Sequence, residues 1–290
     1  MGLRSGKTLA FALAACVCGE ASAIFGINTN PATVESGFPY VGQVNGGGGV
    51  VFAPHWVASA SHLGLGDFVL NGVTYHPDFH VTRSDFDTTI YHFSTTFSDV
   101  ADLYSGPILG KEITMVGYGF SGTQRADHLG YNLAGSQGVK RSATNTVGQI
   151  GTFPENGGTF HYIAADLDTA DPQTPGPYSR DQFGDGGPTA NEGGVAGGDS
   201  GGGWFVSDGG VMKLAGIINF SLAADDAPKD QGPANLLYGY GGSGAADFTE
   251  GPVRDWVDAT LAPEPKSIVL AGFGLVAIVV RRYRTKSIHQ

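Results

Sequence analysis

Three side chains that together can perform nucleophilic catalysis occur in this chain in the order His62, Asp87, Ser200. A serine hydroxyl is a poor nucleophile at neutral pH, so it needs a base within hydrogen-bond distance, and that base needs an orienting anion. We predict Ser200 as the nucleophile and His62 as the general base that later acts as the acid. We predict Asp87 as the carboxylate that fixes the imidazole tautomer and stabilises its charged form.

The glycines around Ser200 suit a second requirement of acyl transfer, which is stabilisation of the oxyanion. A serine flanked by glycines on a tight turn exposes its hydroxyl and allows backbone N–H groups to face the developing charge. We predict that the N–H groups of Gly198 and Ser200 form this oxyanion hole. The chain contains 47 Gly, so a glycine-rich turn alone is weak evidence for a catalytic site. The pattern becomes informative because His62 and Asp87 precede it in the sequence.

Asp85 is an alternative to Asp87 for the orienting carboxylate. The two residues are two positions apart, so they would share one face of a strand. The spacing from His76 and the following proline, together with the apolar Ile90, favours Asp87.

Other polar groups indicate no metal site. His76 and His80 are four residues apart, but the proline after His76 disfavours the helix that would align them. Asp166, Asp168 and Asp171 lack the glycine and the terminal glutamate of an EF-hand loop, so we expect solvated loop acids there. The sequence therefore predicts no metal and no organic cofactor.

Composition indicates a globular all-β body. The 290 residues are 41% hydrophobic, which is enough for a sizeable core and too apolar for disorder. Short apolar runs such as 49–52, 113–116 and 214–220 alternate with Gly, Pro, Asn and Asp, which favours antiparallel sheets. We predict one convincing helix at 253–257, after a proline suited to a first turn, and irregular structure over 153–198.

Charge and cysteine content exclude several function classes. Between residues 24 and 261 there are nine Lys or Arg residues against 25 acidic residues, so the body does not suit nucleic-acid phosphates. The two cysteines, Cys16 and Cys18, lie near the N-terminus. The body therefore has neither a cysteine nucleophile nor a cysteine-ligated zinc.

Residues 1–23 have the features of a secretory signal peptide. Two cationic residues precede an apolar run, and Ala21-Ser22-Ala23 fits a small-residue cleavage site. The residues ending at Cys16 also resemble a lipoprotein cleavage box, but we favour cleavage after Ala23.

Residues 263–290 have the features of a membrane-sorting tail. Pro263-Glu264-Pro265 is followed by an apolar run from 267 to 280 and then by arginines. As a helix this run spans about 21 Å, which is shorter than a hydrocarbon core of roughly 30 Å. A plain C-terminal membrane anchor is the alternative to a sorting tail. The tail resembles the PEP-CTERM sorting signal of Gram-negative bacteria. The resemblance implies transient inner-membrane anchoring, cleavage by an exosortase-type enzyme, and release to the cell surface or extracellular matrix.

The body from 24 to 262 resembles a trypsin-like serine protease of the chymotrypsin family. The matches occur in order and at compatible spacing, and they are Trp56–His62, Asp87–Phe93, Gly117–Gly119, Gly198–Gly202, Gly216–Phe220 and Val253–Val257. The resemblance implies two six-stranded antiparallel β-barrels with the site between them, and a C-terminal helix. It also implies that Asp199 pairs with a freed amine at Ile24 once the leader is removed.

The resemblance also suggests the residues of the specificity pocket. Gly194 occupies the position at which trypsins carry an acidic residue, so a preference for Arg or Lys is not expected. Phe220 and Ser221 would line the pocket wall. Asn219 replaces a serine that normally contacts the buried aspartate, and its amide can also donate a hydrogen bond.

Together these features predict an exported serine endopeptidase that hydrolyses peptide bonds through an acyl-enzyme. Its partners would be a protein or peptide substrate and the processing enzyme of the tail, with no nucleic acid. Two alternatives are a catalytically silent protease-like module that binds matrix components, and an esterase-type hydrolase with the same residues.

Overall fold

The computed structural model describes residues 25–26, 37–133, 137–174, 181–222, 235–237 and 242–262. Ile24, the leader and the tail from 263 onward lie outside this range, so the predictions made for them stay predictions. None of the helices among the described residues has the length and apolar character needed to cross a membrane. The chain divides into two compact units, Met1–Arg254 and Asp255–Gln290.

The described residues form nineteen β-strands and one α-helix. The first eight strands are β1 (Phe25–Gly26), β2 (Val41–Val44), β3 (Gly47–Ala53), β4 (Trp56–Ala60), β5 (Phe68–Leu70), β6 (Val73–Tyr75), β7 (Phe79–Arg83) and β8 (Thr88–His92). The next six are β9 (Glu112–Gly117), β10 (Gly122–Gln124), β11 (Gly130–Leu133), β12 (Arg141–Thr146), β13 (Gln149–Glu155) and β14 (Gly158–Asp166). The remaining elements are β15 (Gly193–Gly194), β16 (Gly203–Asp208), β17 (Val211–Leu222), β18 (Asn235–Leu237), β19 (Gly242–Asp247) and α1 (Gly251–Leu261).

Two antiparallel sheets of seven strands contain fourteen of the nineteen described strands. The first has the order β6-β5-β2-β3-β4-β8-β7, and the second has the order β12-β9-β16-β17-β19-β14-β13. Two small sheets, β1-β15 and β10-β11-β18, complete the described strands. The predicted all-β class with two antiparallel sheets and a C-terminal helix is confirmed, with seven strands in each sheet where six were expected.

Two-residue turns connect several neighbouring strands. Asn45-Gly46, Asn71-Gly72 and Asn156-Gly157 each place both residues at positive φ. This is the conformation of a type I′ turn, whose twist matches that of the flanking strands, and Asn-Gly is its preferred sequence. The turn at Asn156-Gly157 joins β13 to β14, so the prediction of irregular structure over 153–198 is wrong for the first part of that range.

Each large sheet has its own apolar core. The first sheet buries these side chains: Val44, Val51, Val57, Phe68, Leu70, Tyr91, Phe93 and Phe97. The second sheet buries a larger group centred on Trp204, Ile163 and Met115. A buried aromatic or aliphatic side chain of this kind contributes roughly 1.5–3 kcal/mol. The two cores give each sheet a rigid platform for the loops at its edge.

The two sheets meet where glycines allow their backbones to touch. The N–H of Gly48 in β3 donates to the carbonyl oxygen of Ser200 at 2.7 Å. A Cβ atom added to Gly48 would lie 2.6 Å from the Cα of Gly202, and one added to Gly201 would overlap the carbonyl oxygen of Gly48. This contact holds the turn that carries Ser200 against the first sheet.

We predict that Gly48→Ala destabilises the protein by about 2–3 kcal/mol, because the added methyl group must push apart two packed backbones. The free energy of unfolding, measured by chemical denaturation, tests this. Gly46→Ala is the matched control. A Cβ there meets no atom within 4 Å, although the residue has φ +81°, so it should cost only about 1 kcal/mol of backbone strain. Equal losses in the two variants would contradict the close approach.

Candidate active site

His62 and Asp87 are brought together by the pairing of β4 with β8. The two strands are antiparallel, and Ala60 pairs with Thr88. His62 lies two residues beyond the end of β4, in the 3-10 helix Ser61–Leu63, and Asp87 directly precedes β8. The N–H of Ser61 donates to the carbonyl oxygen of Asp87 at 3.0 Å, so the two loops are also joined through their backbones.

The Asp87 carboxylate accepts four hydrogen bonds. Its Oδ1 accepts from the Ser61 hydroxyl at 2.8 Å and from the His62 N–H at 2.9 Å. Its Oδ2 lies 2.6 Å from His62 Nδ1 and accepts from Asn219 Nδ2 at 3.0 Å. The residue itself has left-handed backbone angles at the end of a 3-10 helix. These bonds fix both the position of the carboxylate and the orientation of the imidazole.

Asn219 reaches Asp87 from the second sheet. It lies at an irregularity of β17, where the register with β19 shifts between Ile218 and Phe220. A β-bulge re-aims a side chain, and here the Asn219 amide also donates to the Asp87 carbonyl oxygen at 2.6 Å and accepts from Ala246 N–H at 2.8 Å. The predicted contact between this residue and the aspartate is thus present in the structure.

Ser200 meets His62 from the opposite sheet. The distance between Ser200 Oγ and His62 Nε2 is 2.8 Å. Together with the His62 to Asp87 contact, this gives an uninterrupted chain of hydrogen bonds from a hydroxyl through an imidazole to a carboxylate. The geometry places the imidazole where it can accept the hydroxyl proton.

The turn around Ser200 depends on two glycines with positive φ, Gly198 at 90° and Gly201 at 82°. Gly201 N–H donates to the Ile218 carbonyl at 2.7 Å, and the Gly202 N–H donates to the Asp199 carbonyl at 2.7 Å. In contrast, the N–H groups of Gly198 and Ser200 donate to no group among the described residues. These two donors therefore remain available for the oxygen of a bound substrate.

The charges of the site favour an ion pair between His62 and Asp87. Burial lowers the pKa of His62, but the hydrogen bond and charge of Asp87 outweigh it and raise the pKa above its usual value. Burial raises the pKa of Asp87, but the hydrogen bond and charge of His62, with the hydrogen bonds from Asn219 and Ser61, hold it below its usual value. Each group thus stabilises the ionised form of the other.

These shifts link the stability of the fold to pH in opposite directions. Because the pKa of His62 is raised, its contribution is fully present below the ordinary histidine pKa and is lost as the pH rises through the raised value. Because the pKa of Asp87 is lowered, its contribution is present above the ordinary aspartate pKa and is lost as the pH falls through the lowered value.

Asp199 is buried, directly precedes Ser200 in the sequence, and is held by backbone donors. Its Oδ1 accepts from Gly119 N–H at 3.2 Å, and its Oδ2 accepts from Ala196 N–H at 3.1 Å. Its predicted partner Ile24 lies outside the described residues. The next two residues, Phe25 and Gly26, pair with Gly194 and Gly193, so the chain after Ile24 runs beside the strand that precedes Asp199.

Asp85 has a different partner from Asp87. Its two carboxylate oxygens accept from Arg83 Nε at 2.8 Å and Arg83 Nη2 at 2.6 Å. It lies inside the 3-10 helix Ser84–Phe86 rather than in a strand, so the two aspartates do not share a face. Of the two candidate carboxylates, only Asp87 contacts His62.

The residues predicted for the specificity pocket lie on β15 and β17. Gly194 is buried in β15, and Ser221 is exposed on β17. The ring of Phe220 makes edge contacts with Phe153, Phe160 and Tyr162. Phe220 therefore belongs to an aromatic cluster of the second sheet, and its role toward substrate stays a prediction.

The loop acids differ from the expectation of solvated side chains. Asp166 and Asp168 are each only 1% exposed. They approach Asp181 and Asp185, which the sequence analysis did not single out. Asp171 instead contacts His128 Nδ1 at 2.6 Å. The prediction failed because the burial of a loop is decided by the elements packed around it, and the local sequence does not contain this information.

Comparisons with known proteins find related structures but no related family. No protein-family model matches the chain, and no curated protein matches it at the significance required. The NS6 protease from murine norovirus 1 has 16% identity and a TM-score of 0.42, over 75% of this chain and 94% of that one. The Rv3671c protease from M. tuberculosis, in its active form, has 13% identity and a TM-score of 0.45, over 75% of this chain and 74% of that one. Structural similarities at this level give no evidence about activity.

We predict that Asp87→Asn moves the pKa of His62 from above its usual value of 6.5 to below it. The substitution removes the negative charge that raises the pKa, while the burial that lowers it remains. Titration of the imidazole followed by NMR measures the change. Asp85→Asn, which alters a carboxylate paired with Arg83, should leave the pKa of His62 unchanged. A pKa that stays raised in Asp87→Asn would contradict the assignment.

Proposed function

We propose that this chain is a serine endopeptidase with a chymotrypsin-like arrangement of His62, Asp87 and Ser200. The observation that carries the proposal is the hydrogen-bond chain from Ser200 Oγ to His62 Nε2 and from His62 Nδ1 to Asp87 Oδ2, at 2.8 Å and 2.6 Å. The three residues come from two sheets and are up to 138 positions apart, and they meet in the geometry that nucleophilic catalysis requires.

In the first half of the reaction, Ser200 Oγ attacks the carbonyl carbon of the substrate while His62 Nε2 takes the hydroxyl proton. The electron pair of the carbonyl moves to its oxygen, which accepts hydrogen bonds from the N–H groups of Gly198 and Ser200. The tetrahedral intermediate collapses to an acyl-enzyme. The amine leaves with the proton that His62 donates, and Asp87 stabilises the imidazolium throughout.

In the second half, water replaces the amine. His62 takes a proton from the water as the water oxygen attacks the acyl carbon. When this second tetrahedral intermediate collapses, the bond between the acyl carbon and Ser200 Oγ breaks, and His62 returns the proton to Oγ. The carboxylic acid product leaves and the starting state is restored. Each oxyanion donor contributes about 3 kcal/mol of transition-state stabilisation in such sites. No metal or organic cofactor takes part in this scheme.

Features of the two termini support export as part of the proposal. The leader at 1–23 resembles a secretory signal peptide, and the tail at 263–290 resembles a PEP-CTERM signal. We propose export, transient anchoring in the inner membrane, and removal of the tail by an exosortase-type enzyme. Detection of the mature C-terminus by mass spectrometry of the native host tests this; an intact tail at the cell surface would refute cleavage.

A catalytically silent binding module is the main alternative, and it would require different features of the site. A module that only binds matrix components does not need the Ser200 to His62 contact, the four donors to Asp87, or two N–H groups that have no acceptor among the described residues. Their joint presence favours catalysis. An esterase would use the same residues, so only substrates separate an esterase from a peptidase.

We predict that a fluorophosphonate probe labels the purified chain at Ser200 and that Ser200→Ala abolishes both labelling and peptide hydrolysis. Loss of the nucleophile should lower kcat by at least about 10⁴-fold, because the base and the carboxylate act only through it. Ser207→Ala, which alters an exposed serine on β16, is the control and should retain full activity.

A peptide library completes this test by giving the bond that is cut and the residue before it. Cleavage of peptides supports the endopeptidase, whereas hydrolysis of esters alone supports the esterase. Because Gly194 provides no negative charge, we expect no preference for Arg or Lys before the cut. Labelling that persists in Ser200→Ala would overturn the assignment of the nucleophile.

We also propose that the amine of Ile24 pairs with Asp199 once the leader is removed. The pairing of Phe25 with Gly194 supports this, because it brings the residue after Ile24 beside the strand that precedes Asp199. A chain that begins at Ile24 should turn over substrate much faster than a chain that begins at Ala23, because only the first can place the new amine at Asp199. Equal turnover would refute the pair.

A further inference from the structure

A second group of carboxylates, which shares no residue with the site of Ser200, lies between β14 and β15. It consists of Asp166 and Asp168 at the end of β14 and of Asp181 and Asp185 in the following loop, and we call it the four-aspartate cluster. One carboxylate oxygen of each residue lies within 4.8 Å of the corresponding oxygen of every other. The four side chains therefore converge on one point.

Several carboxylate oxygens of the four-aspartate cluster are buried and accept no hydrogen bond from any donor of the described residues. These are Oδ1 of Asp166, Oδ1 of Asp168 and both carboxylate oxygens of Asp185. Asp166 and Asp168 are each only 1% exposed. Buried polar groups are nearly always hydrogen-bonded, and buried charges are paired or coordinate a metal. These oxygens therefore point to a missing positive partner.

Cationic side chains do not supply that partner within the described part of the chain. No lysine or arginine there forms an ion pair with Asp166, Asp168 or Asp185. A further acid, Glu192, lies beside the cluster: its carboxylate accepts from the N–H of Asp168 at 3.2 Å, and burial raises its pKa to about 7. Burial is the main cause that raises the pKa of Asp168, and repulsion from the neighbouring acids adds to it. Burial is also the main cause that raises the pKa of Asp166 to about 6, with a smaller contribution from the charge of Asp185.

We propose that the four-aspartate cluster binds one Ca²⁺ ion. Calcium takes six to eight oxygen ligands at about 2.4 Å, so two ligands on opposite sides of the ion stand about 4.8 Å apart. Magnesium usually keeps several waters and uses one or two carboxylates, and zinc prefers nitrogen and sulfur ligands. Four carboxylates that converge from two segments of the chain therefore fit calcium best. The proposal goes beyond the hydrolytic function and does not depend on it.

The bound ion would stabilise the segment that leads to Ser200. Asn145 Nδ2 donates to the carbonyl oxygens of Asp166 and Gly193, at 2.6 Å and 2.8 Å. Glu192 joins the N–H of Asp168 to the N–H of Thr189, with distances of 3.2 Å and 3.0 Å. The cluster is thus hydrogen-bonded to residues 189–193, which precede the turn of the nucleophile. Calcium binding would keep this segment folded and so protect the fold against heat.

Calcium titration of the full chain tests the proposal after treatment with a chelator. We expect isothermal titration calorimetry to show one Ca²⁺ bound per chain, and we expect Tm to rise with added CaCl₂. Asp168→Asn and Asp185→Asn should each weaken binding at least about tenfold, because calcium affinity depends on the number of charged ligands. Asp171→Asn is the matched control, since that carboxylate contacts His128 outside the cluster, and its calcium response should equal that of the parent chain.

Three outcomes would overturn the proposal. The first is the absence of both binding heat and a Tm shift in the parent chain. The second is a response to Ca²⁺ that both cluster variants retain; Asp185 is only partly buried, so Asp185→Asn serves if Asp168→Asn does not fold. The third is an equal response to Mg²⁺ at the same concentration, which would exclude a site selective for calcium.

Discussion

The close approach of two backbones, at Gly48 of β3 and at the turn of Ser200, is the constraint on which the rest of the site depends. The Gly48 N–H donates to the Ser200 carbonyl at 2.7 Å, and Ser59 Oγ donates to the Gly48 carbonyl at 2.7 Å. No side chain fits between these groups, because added Cβ atoms would overlap main-chain atoms. This main-chain contact between the sheets therefore helps to fix the position of Ser200 relative to His62.

A second feature is that groups from both sheets hold the Asp87 carboxylate. Ser61 and His62 donate to Asp87 from the first sheet, while Asn219 donates from the second. The Asp87 carboxylate is thus hydrogen-bonded to residues of both sheets. These bonds hold its pKa below the usual value despite its burial. Asn219 replaces a serine of the family pattern that the chain resembles, and its amide donates a hydrogen bond to Asp87.

The acidic character of the body has a structural counterpart in the four-aspartate cluster. A net negative charge predicts poor affinity for nucleic acid, but it does not predict which acids are buried together. The cluster is hydrogen-bonded through Asn145 and Glu192 to the strand that pairs with Phe25. The short segment around β15 therefore adjoins the candidate calcium site and β1, and it precedes the turn of Ser200.

The sequence by itself determined the all-β class, the terminal helix and the three residues that meet in the site. Short apolar runs broken by turn residues, and motifs in a fixed order, are local signals that can be recognised in a linear sequence. The sequence did not determine that Asp85 pairs with Arg83, or that Asp166 and Asp168 are buried with Asp181 and Asp185. Only the tertiary structure decided these points, because burial and pairing depend on which distant segments pack against a residue. Contacts of that kind arise from the whole fold and leave no mark on the neighbouring sequence.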